Sequence, residues 1–437
     1  MKKTPSGHWM TWRVCAAFAP LILLLNANCT TAPRIRDLAP PVVAYENGWW
    51  FTGTAFEPRT MYVARGHFVA RPARVDSVVD LAGGYVVPPF AEAHNHNVEP
   101  SARIESLIRS YLQAGVFYVQ NPDNLPRARA ALAGLVNQPS GLDVTFANGG
   151  LTGPGGHPGE IARRNVERGA WAPEDGEGAF FLTVSDRSAL ARAWPALLGT
   201  HPDFVKVYLL YSEEYQARLV DPATVGWRGL DPALLPDIVR RAHAAGLRVV
   251  AHVETASDFH QAVAGGVDQV AHLPGFRGNP AAALPDPSRY QIREEDARLA
   301  ARQRTVVVTT IAGLARYADE QGDPALRRAA DRLNRANLEM LLQHGVPIAI
   351  GSDEYGDTSI GEALYLHELG VFSPAALLRI WTETTARTIF PTRRLGRLQP
   401  GYEASFLSLA GNPLLDFSVV KQVRLRVKQG QPLEVNQ

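Results

Sequence analysis

The chain reads as an α/β protein: a (β/α)8 TIM barrel with a small β-sandwich domain formed by both chain ends. Three observations lead there. Eight short apolar runs alternate with helix-like stretches between residues 86 and 392. Several of those runs carry a histidine, lysine or aspartate at or near their end, where barrel enzymes hold their chemistry. The flanking segments, 41–85 and 393–437, have a different texture of short strand-like pieces punctuated by glycine.

The elements follow in chain order. Residues 1–32 open with Lys2 and Lys3, continue through Arg13 to an apolar run from Val14 to Leu25, and end in small and polar residues. That is the layout of a secretory signal, and the run is too short for a membrane span. The only two cysteines, Cys15 and Cys29, lie in this segment, so the exported domain has no internal disulfide. Cys29 follows "LLNAN", which resembles a bacterial lipoprotein processing site, although Asn28 stands where a small residue is usual. The expectation is an exported protein, periplasmic or an outer-membrane lipoprotein attached to the membrane through Cys29.

Next come the strand-like pieces "GWWFTGTAF", "TMYVARGHFV" and "VDSVVDLAGGYVV", matched near the C-terminus by "LGRLQPGYEASFLSLAGNP" and "VVKQVRLRVKQG". Between them lie the eight runs "GYVVPPFAEAHNH", "GVFYVQNP", "LDVTFANGG", "FVKVYLL", "LRVVAHVE", "DQVAHLPG", "RTVVVTT" and "VPIAIGSDE". The intervening stretches include "LLPDIVRRAHAAG" and "RRAADRLNRANLEMLLQHG", amphipathic helices that each end at a glycine. Acids and bases are interspersed and the net charge is +1, which leaves no footprint for nucleic acid. The expected partner is a small-molecule substrate, with a homo-oligomer left open.

The run ends carry the information. The first run ends in His94 and His96, the fourth holds Lys206, the fifth ends in His252, the sixth in His272 and the eighth in Asp353. Singly, each has a plain structural explanation. A strand-end histidine packs or hydrogen-bonds, a lysine snorkels, and an aspartate after Gly-Ser caps a turn. Jointly, four histidines, one lysine and one aspartate at corresponding ends of five strands make a metal-binding constellation.

This joint pattern resembles the amidohydrolase superfamily, in particular its imidazolonepropionase-like proteins and prolidase-like (Xaa-Pro) dipeptidases. The likeness extends to "VVDLAGGYVVPPF" before the barrel and "LGRLQPGYEASFLSLAGNPLLD" after it. It implies two divalent metal ions, zinc being the expected metal, bridged by a carbamate formed on Lys206. His94, His96 and Asp353 would bind one ion, and His252 and His272 the other. A metal-bridging hydroxide would attack an amide, peptide or cyclic amide carbonyl, with Asp353 as general base and then acid. The physics agrees: an ammonium beside two cations is repelled, whereas a carbamate offers anionic oxygens.

Two departures stand out. Glu92 occupies the place of the aspartate usual before the H-x-H pair, so altered support of the site is expected. Thr255 stands where mononuclear deaminases of the superfamily place a catalytic glutamate, which counts against that chemistry. His157, in "GGLTGPGGHPGEI", resembles the substrate-facing histidine of the prolidase-like branch. Tyr208 and Tyr211 are further candidates for substrate binding, and the long loop "FRGNPAAALPDPSRYQIREED" is expected to wall the pocket. His243, His260, His344 and His367 fall on helix-like stretches and read as structural. A mononuclear deaminase, a lactonase and a non-catalytic metal- or ligand-binding relative remain as alternatives.

Overall fold

The computed structural model describes residues 40–275 and 286–434. The expected signal segment, with Cys15 and Cys29, lies outside the described residues, as does most of the first half of the loop expected to wall the pocket.

Strands from both chain ends pair with one another. β1 (Val43–Phe51), β2 (Phe56–Ala64), β3 (His67–Val69), β4 (Ser77–Asp80) and β5 (Tyr85–Val87) come from the N-terminal side. β5 then pairs antiparallel with a strand more than 300 residues later, Phe406–Leu409, which pairs with Val423–Lys428. β1 changes partner along its length: Val43–Glu46 runs parallel to β4, and Trp49–Trp50 runs parallel to β5. Among the described residues the pairings make one eight-stranded sheet that forks at β1, rather than two separate sheets.

The first long apolar run divides. Its beginning is β5 of the end sheet; its continuation, β6 (Phe90–Glu92), pairs parallel with β7 (Val116–Asn121). Pro88 and Pro89 separate the two, since proline has no N–H for a ladder and restrains the residue before it. β7 pairs with β8 (Asp143–Phe146), and after a bend the same chain segment forms β9 (Gly150–Thr152). β10 (Phe181–Thr183) lies on the outer side of β9, and β11 (Val205–Tyr208) on its other side. Then follow β12 (Val249–His252), β13 (Gln269–Ala271), β14 (Val306–Val308) and β15 (Ile348–Ala349), each parallel to the last. Ala93 N donates to Ile350 O at 2.8 Å, joining the end of β15 to that of β6. With β8 and β9 counted as one bent strand and β10 set aside as an extra edge strand, eight parallel strands remain, and with this closing bond they are compatible with a (β/α)8 barrel. β7, β8, β11 and β12 are buried throughout, as strands covered by helices on one side and filled on the other must be. The two expected helices form at Leu235–Ala244 and Pro324–Gln343, with Gly246 and Gly345 in left-handed conformation just beyond.

β16 (Phe406–Leu409), β17 (Val423–Lys428) and β18 (Gln431–Pro432) complete the end sheet. Lys428 anchors it to the parallel strands. Its buried Nζ donates to Gln138 O at 2.9 Å, Gly141 O at 2.5 Å and Asp143 Oδ1 at 2.6 Å. Burial pushes the ammonium below its ordinary pKa, and Asp143 opposes that shift. Asp143 also accepts from Arg393, which pairs with Glu403. Replacing Lys428 with Met strips a buried carboxylate and two carbonyls of their donor. Urea unfolding should show a loss of about 3 kcal/mol; an unchanged midpoint would mean that Arg393 alone satisfies Asp143.

Candidate metal centre

The H-x-H pair does not stand on a regular strand. β6 stops at Glu92, and His94 and His96 occupy the turn beyond it. Local bonds hold that turn: Gln120 Nε2 donates to Ala93 O, Asn95 N to Gln120 O, and Asp353 N to His94 O. Gly351 is required here, because a Cβ on it would lie 2.7 Å from both the Cβ and the N of His94.

Asp353 follows β15 by four residues and faces three histidines. Its Oδ1 lies 3.7 Å from His94 Nε2 and 3.2 Å from His96 Nε2, and its Oδ2 lies 3.9 Å from His272 Nδ1. Ligand atoms of His94, His96 and Asp353 lie within 4.8 Å of one another, a spacing one ion can span. Burial disfavours charge on His96, but Asp353 outweighs it and raises the imidazole pKa.

The remaining histidines continue the cluster. The His272 ring sits 4.4 Å from that of His94 and 4.5 Å from that of His252, centre to centre. The His157 ring is 5.1 Å from His252 and 5.4 Å from Tyr208. Lys206 is buried in β11, its Nζ 5.3 Å from the centre of the Tyr208 ring. Gly150 leaves room for both, since a Cβ there would meet Tyr208 Cε2 at 2.6 Å and Lys206 Cγ at 3.2 Å. Thus the structure brings together His94, His96, Asp353, His272, His252, Lys206, His157 and Tyr208.

Tyr211 stands apart from these contacts. Its ring is held between the guanidiniums of Arg218, at 3.8 Å, and Arg289, at 4.8 Å. Those arginines pair with Glu213 and Glu214, so the tyrosine belongs to a latch between loops. The four histidines read as structural are also placed away from the cluster: His243 on Asp268, His260 on Asp296, His344 near Glu294 and His367 stacked on Phe417.

The two sequence departures have structural roles. Glu92 accepts from Ser352 N at 2.7 Å and from Ser352 Oγ at 3.0 Å, holding the turn that carries Asp353. Its burial drives the carboxyl pKa well above the usual range. Thr255 caps the helix Ala256–Ala264 in a reciprocal box with Asp258.

Several neighbours escaped sequence reading. Asp123, beyond β7, faces the Tyr208 hydroxyl, and its backbone carbonyl lies 3.4 Å from His96 Nδ1. Burial pushes its carboxyl up to about 6, against the pull of His96, Tyr208 and Lys206. Burial likewise pushes Glu99 up to about 8, with Asp123 adding to the effect. An acid after "NP" at a strand end was the available signal for Asp123, but it is also the signal of a turn. Tyr355, exposed to solvent, stacks over His96 at 6.2 Å.

The histidines suit a metal in a further respect. His252 Nε2 is 3.0 Å from Glu254 Oε1, and His272 Nδ1 is 2.7 Å from Thr310 Oγ1. An imidazole with one nitrogen engaged by an oxygen presents the other as a ligand. The backbone is also unusual at this face: His272, Thr310 and Asp353 all have positive φ, at 91°, 54° and 57°. Such conformations cost energy and cluster where a structure holds groups for function.

Comparison with known proteins agrees with this geometry. The amidohydrolase family model matches residues 226–433. That stretch contains His252, His272 and Asp353; His94, His96 and Lys206 precede it. No curated protein matches significantly. Among solved structures, an amidohydrolase matches at TM-score 0.68 and 22% identity, covering 90% of this chain and 100% of that one. A prolidase complexed with N-methylphosphonate-L-proline matches at 0.69 and 19%, covering 90% and 99%. The ochratoxinase of A. niger matches at 0.71 and 18%, covering 90% and 96%. At these identities the likeness is one of fold. Residues 226–433 thus match the amidohydrolase family model, and the fold of the chain is similar to that of solved amidohydrolases and prolidases.

Proposed function

We propose that the protein is a metal-dependent amidohydrolase that cleaves a C–N bond (amide, peptide or cyclic amide) in a small molecule. One observation carries this reading: four histidines and Asp353 converge at or just beyond the C-terminal ends of the parallel strands, with Asp353 facing three of the histidines.

In this reading His94, His96 and Asp353 hold one divalent ion, His252 and His272 the other, and Lys206, as its carbamate, serves both. Zinc fits the nitrogen-rich donor set. Bound there, the ions would supply Lewis-acid polarisation of the carbonyl and a hydroxide at neutral pH. The protein's own part is positional and acid–base. Asp353 takes the proton released as the water oxygen bonds to the carbonyl carbon. It then gives that proton to the leaving nitrogen as the C–N bond breaks. His157, beside His252 and braced by Glu160 at 2.6 Å, and Tyr208 orient the substrate. Tyr211 acts at a remove, by holding the loop after β11.

The test is a hydrolysis screen read by mass spectrometry, using zinc-loaded protein lacking residues 1–32. Dipeptides including Xaa-Pro, N-acyl amino acids, cyclic imides and lactones form the panel, with a chelator-treated control. Cleavage of a C–N substrate that the chelator abolishes is the expected result. Lactone opening alone would overturn the C–N assignment, and turnover that survives metal removal would overturn the metal dependence. The sequence of residues 1–32 further supports export, to the periplasm or as a lipoprotein anchored by Cys29. The intact mass of the chain from a bacterial membrane fraction tests this. An unprocessed, unacylated chain would exclude both signal cleavage and the anchor.

A further inference from the structure

The expected ligand set draws nothing from β14, yet the end of that strand is built with care. β14 stops at Val308, and Thr310 adopts a left-handed backbone, φ 54°. For a β-branched residue this is a strained conformation that its surroundings must impose. They do so from several sides. Thr310 N donates to Gly351 O at 3.0 Å, beside the turn that carries Asp353. Immediately after it, Ile311 N and Ala312 N both donate to the buried carboxylate of Glu362, at 3.0 and 2.8 Å. Glu362 itself sits in the helix Ser359–Leu369, so a rigid element clamps the turn.

That clamping brings Thr310 against His272. Thr310 Oγ1 lies 2.7 Å from His272 Nδ1, with both residues almost wholly buried. His272 also has a left-handed backbone, φ 91°. Two unfavourable conformations just beyond adjacent strands therefore meet in this hydrogen bond. The same Nδ1 lies 3.9 Å from Asp353 Oδ2, so the contact sets how the ring stands against the carboxylate. His252 is engaged by an oxygen too, through its other nitrogen: Nε2 lies 3.0 Å from Glu254 Oε1. The two rings are 4.5 Å apart.

We propose that Thr310 is a positioning residue for the metal centre, and that its hydroxyl, bonded to Nδ1, fixes the orientation of the His272 ring beside Asp353. The inference rests on the reading of His272 as a ligand and extends it to a strand that supplies none. Thr310 never touches substrate or metal. It acts through the imidazole, as oxygen partners of metal-binding histidines do.

Thr310→Val separates the hydroxyl from the shape. Valine is isosteric and β-branched, so the left-handed strain is retained and only the hydrogen bond is lost. Thr310→Ser restores the hydroxyl. The probe is zinc, titrated into metal-free protein in competition with a chromophoric chelator, with thermal melting of the metal-free proteins recorded alongside. The Val variant should bind one of its zinc ions about 10- to 100-fold more weakly. The Ser variant should bind as the parent does, and all three metal-free proteins should still melt cooperatively, the Val variant lower by no more than the loss of one buried hydrogen bond. Equal zinc affinity in the parent and the Val variant would overturn the proposal. So would a Ser variant as weak as Val, because the hydroxyl would then not be the cause. A His272→Asn control distinguishes the underlying reading: if it binds zinc as the parent does, His272 is not a ligand and the proposal falls with that assignment.

Discussion

Asp353→Asn is expected to lower kcat by about 10²- to 10⁴-fold, the range over which a positioned proton-transfer group contributes. Asparagine keeps the shape of the side chain and one oxygen that can ligate, so much of the metal should remain bound. What it cannot do is accept a proton at neutral pH. The backbone of residue 353 also stays in place, since its N–H bond to His94 O at 2.9 Å does not involve the side chain. Steady-state kinetics on the best substrate from the screen, together with metal analysis of the same samples, makes the comparison. Undiminished kcat would show that another group carries the proton. Asp123, buried beyond β7 and shifted up to about 6 by that burial, is then the next residue to test.

Lys206→Ala should have a comparably large effect, for a different reason. The side chain is buried within β11, between Val205 and Val207, where a free ammonium would be costly beside bound metal ions. In the proposed centre a carbamate would resolve this: the ammonium gives up two protons as Nζ bonds to the carbon of carbon dioxide, and the product would be an anionic ligand in place of a cation. Removing it should abolish tight binding of at least one ion and reduce activity by about a hundredfold or more, at least matching the loss of a supporting residue. A short carboxylic acid such as propionate should restore part of the activity, since it can enter the space left and present the same oxygens. Protein prepared in ¹³C-labelled bicarbonate should show a carbamate carbon resonance that the Ala variant lacks. Full metal content and turnover in the Ala variant would remove Lys206 from the centre.

Much of the parallel core was legible because its signals are local. "FVKVYLL" and "LRVVAHVE" are apolar runs of strand length, and β11 and β12 lie within them with Lys206 and His252 in place. The helices ending at Gly246 and Gly345 were legible from period and from the left-handed glycine beyond each. Local signals misled at "GYVVPPFAEAHNH", which looks continuous in hydrophobicity. The two prolines divide it between sheets, and the H-x-H pair falls in the turn after β6. Nothing local distinguished Tyr211 from Tyr208 as a site residue. One packs between arginines from the loops after β11 and β13, and the other between His157 and His252.

By itself, the sequence determined which chemical groups stand at the strand ends: four imidazoles, one amine and one carboxylate, at spacings that only a set of parallel strands would use. Strand period and turn chemistry are local properties, so they can be read from a few residues at a time. Only the tertiary structure decided how those groups are aimed. Glu92 holds Ser352 across 260 positions and Thr310 holds His272 across 38, and both contacts exist only once the parallel strands are assembled. Which nitrogen of an imidazole is left for a metal depends on the oxygen facing the other one. That oxygen comes from a neighbouring strand or turn, and packing alone brings it there.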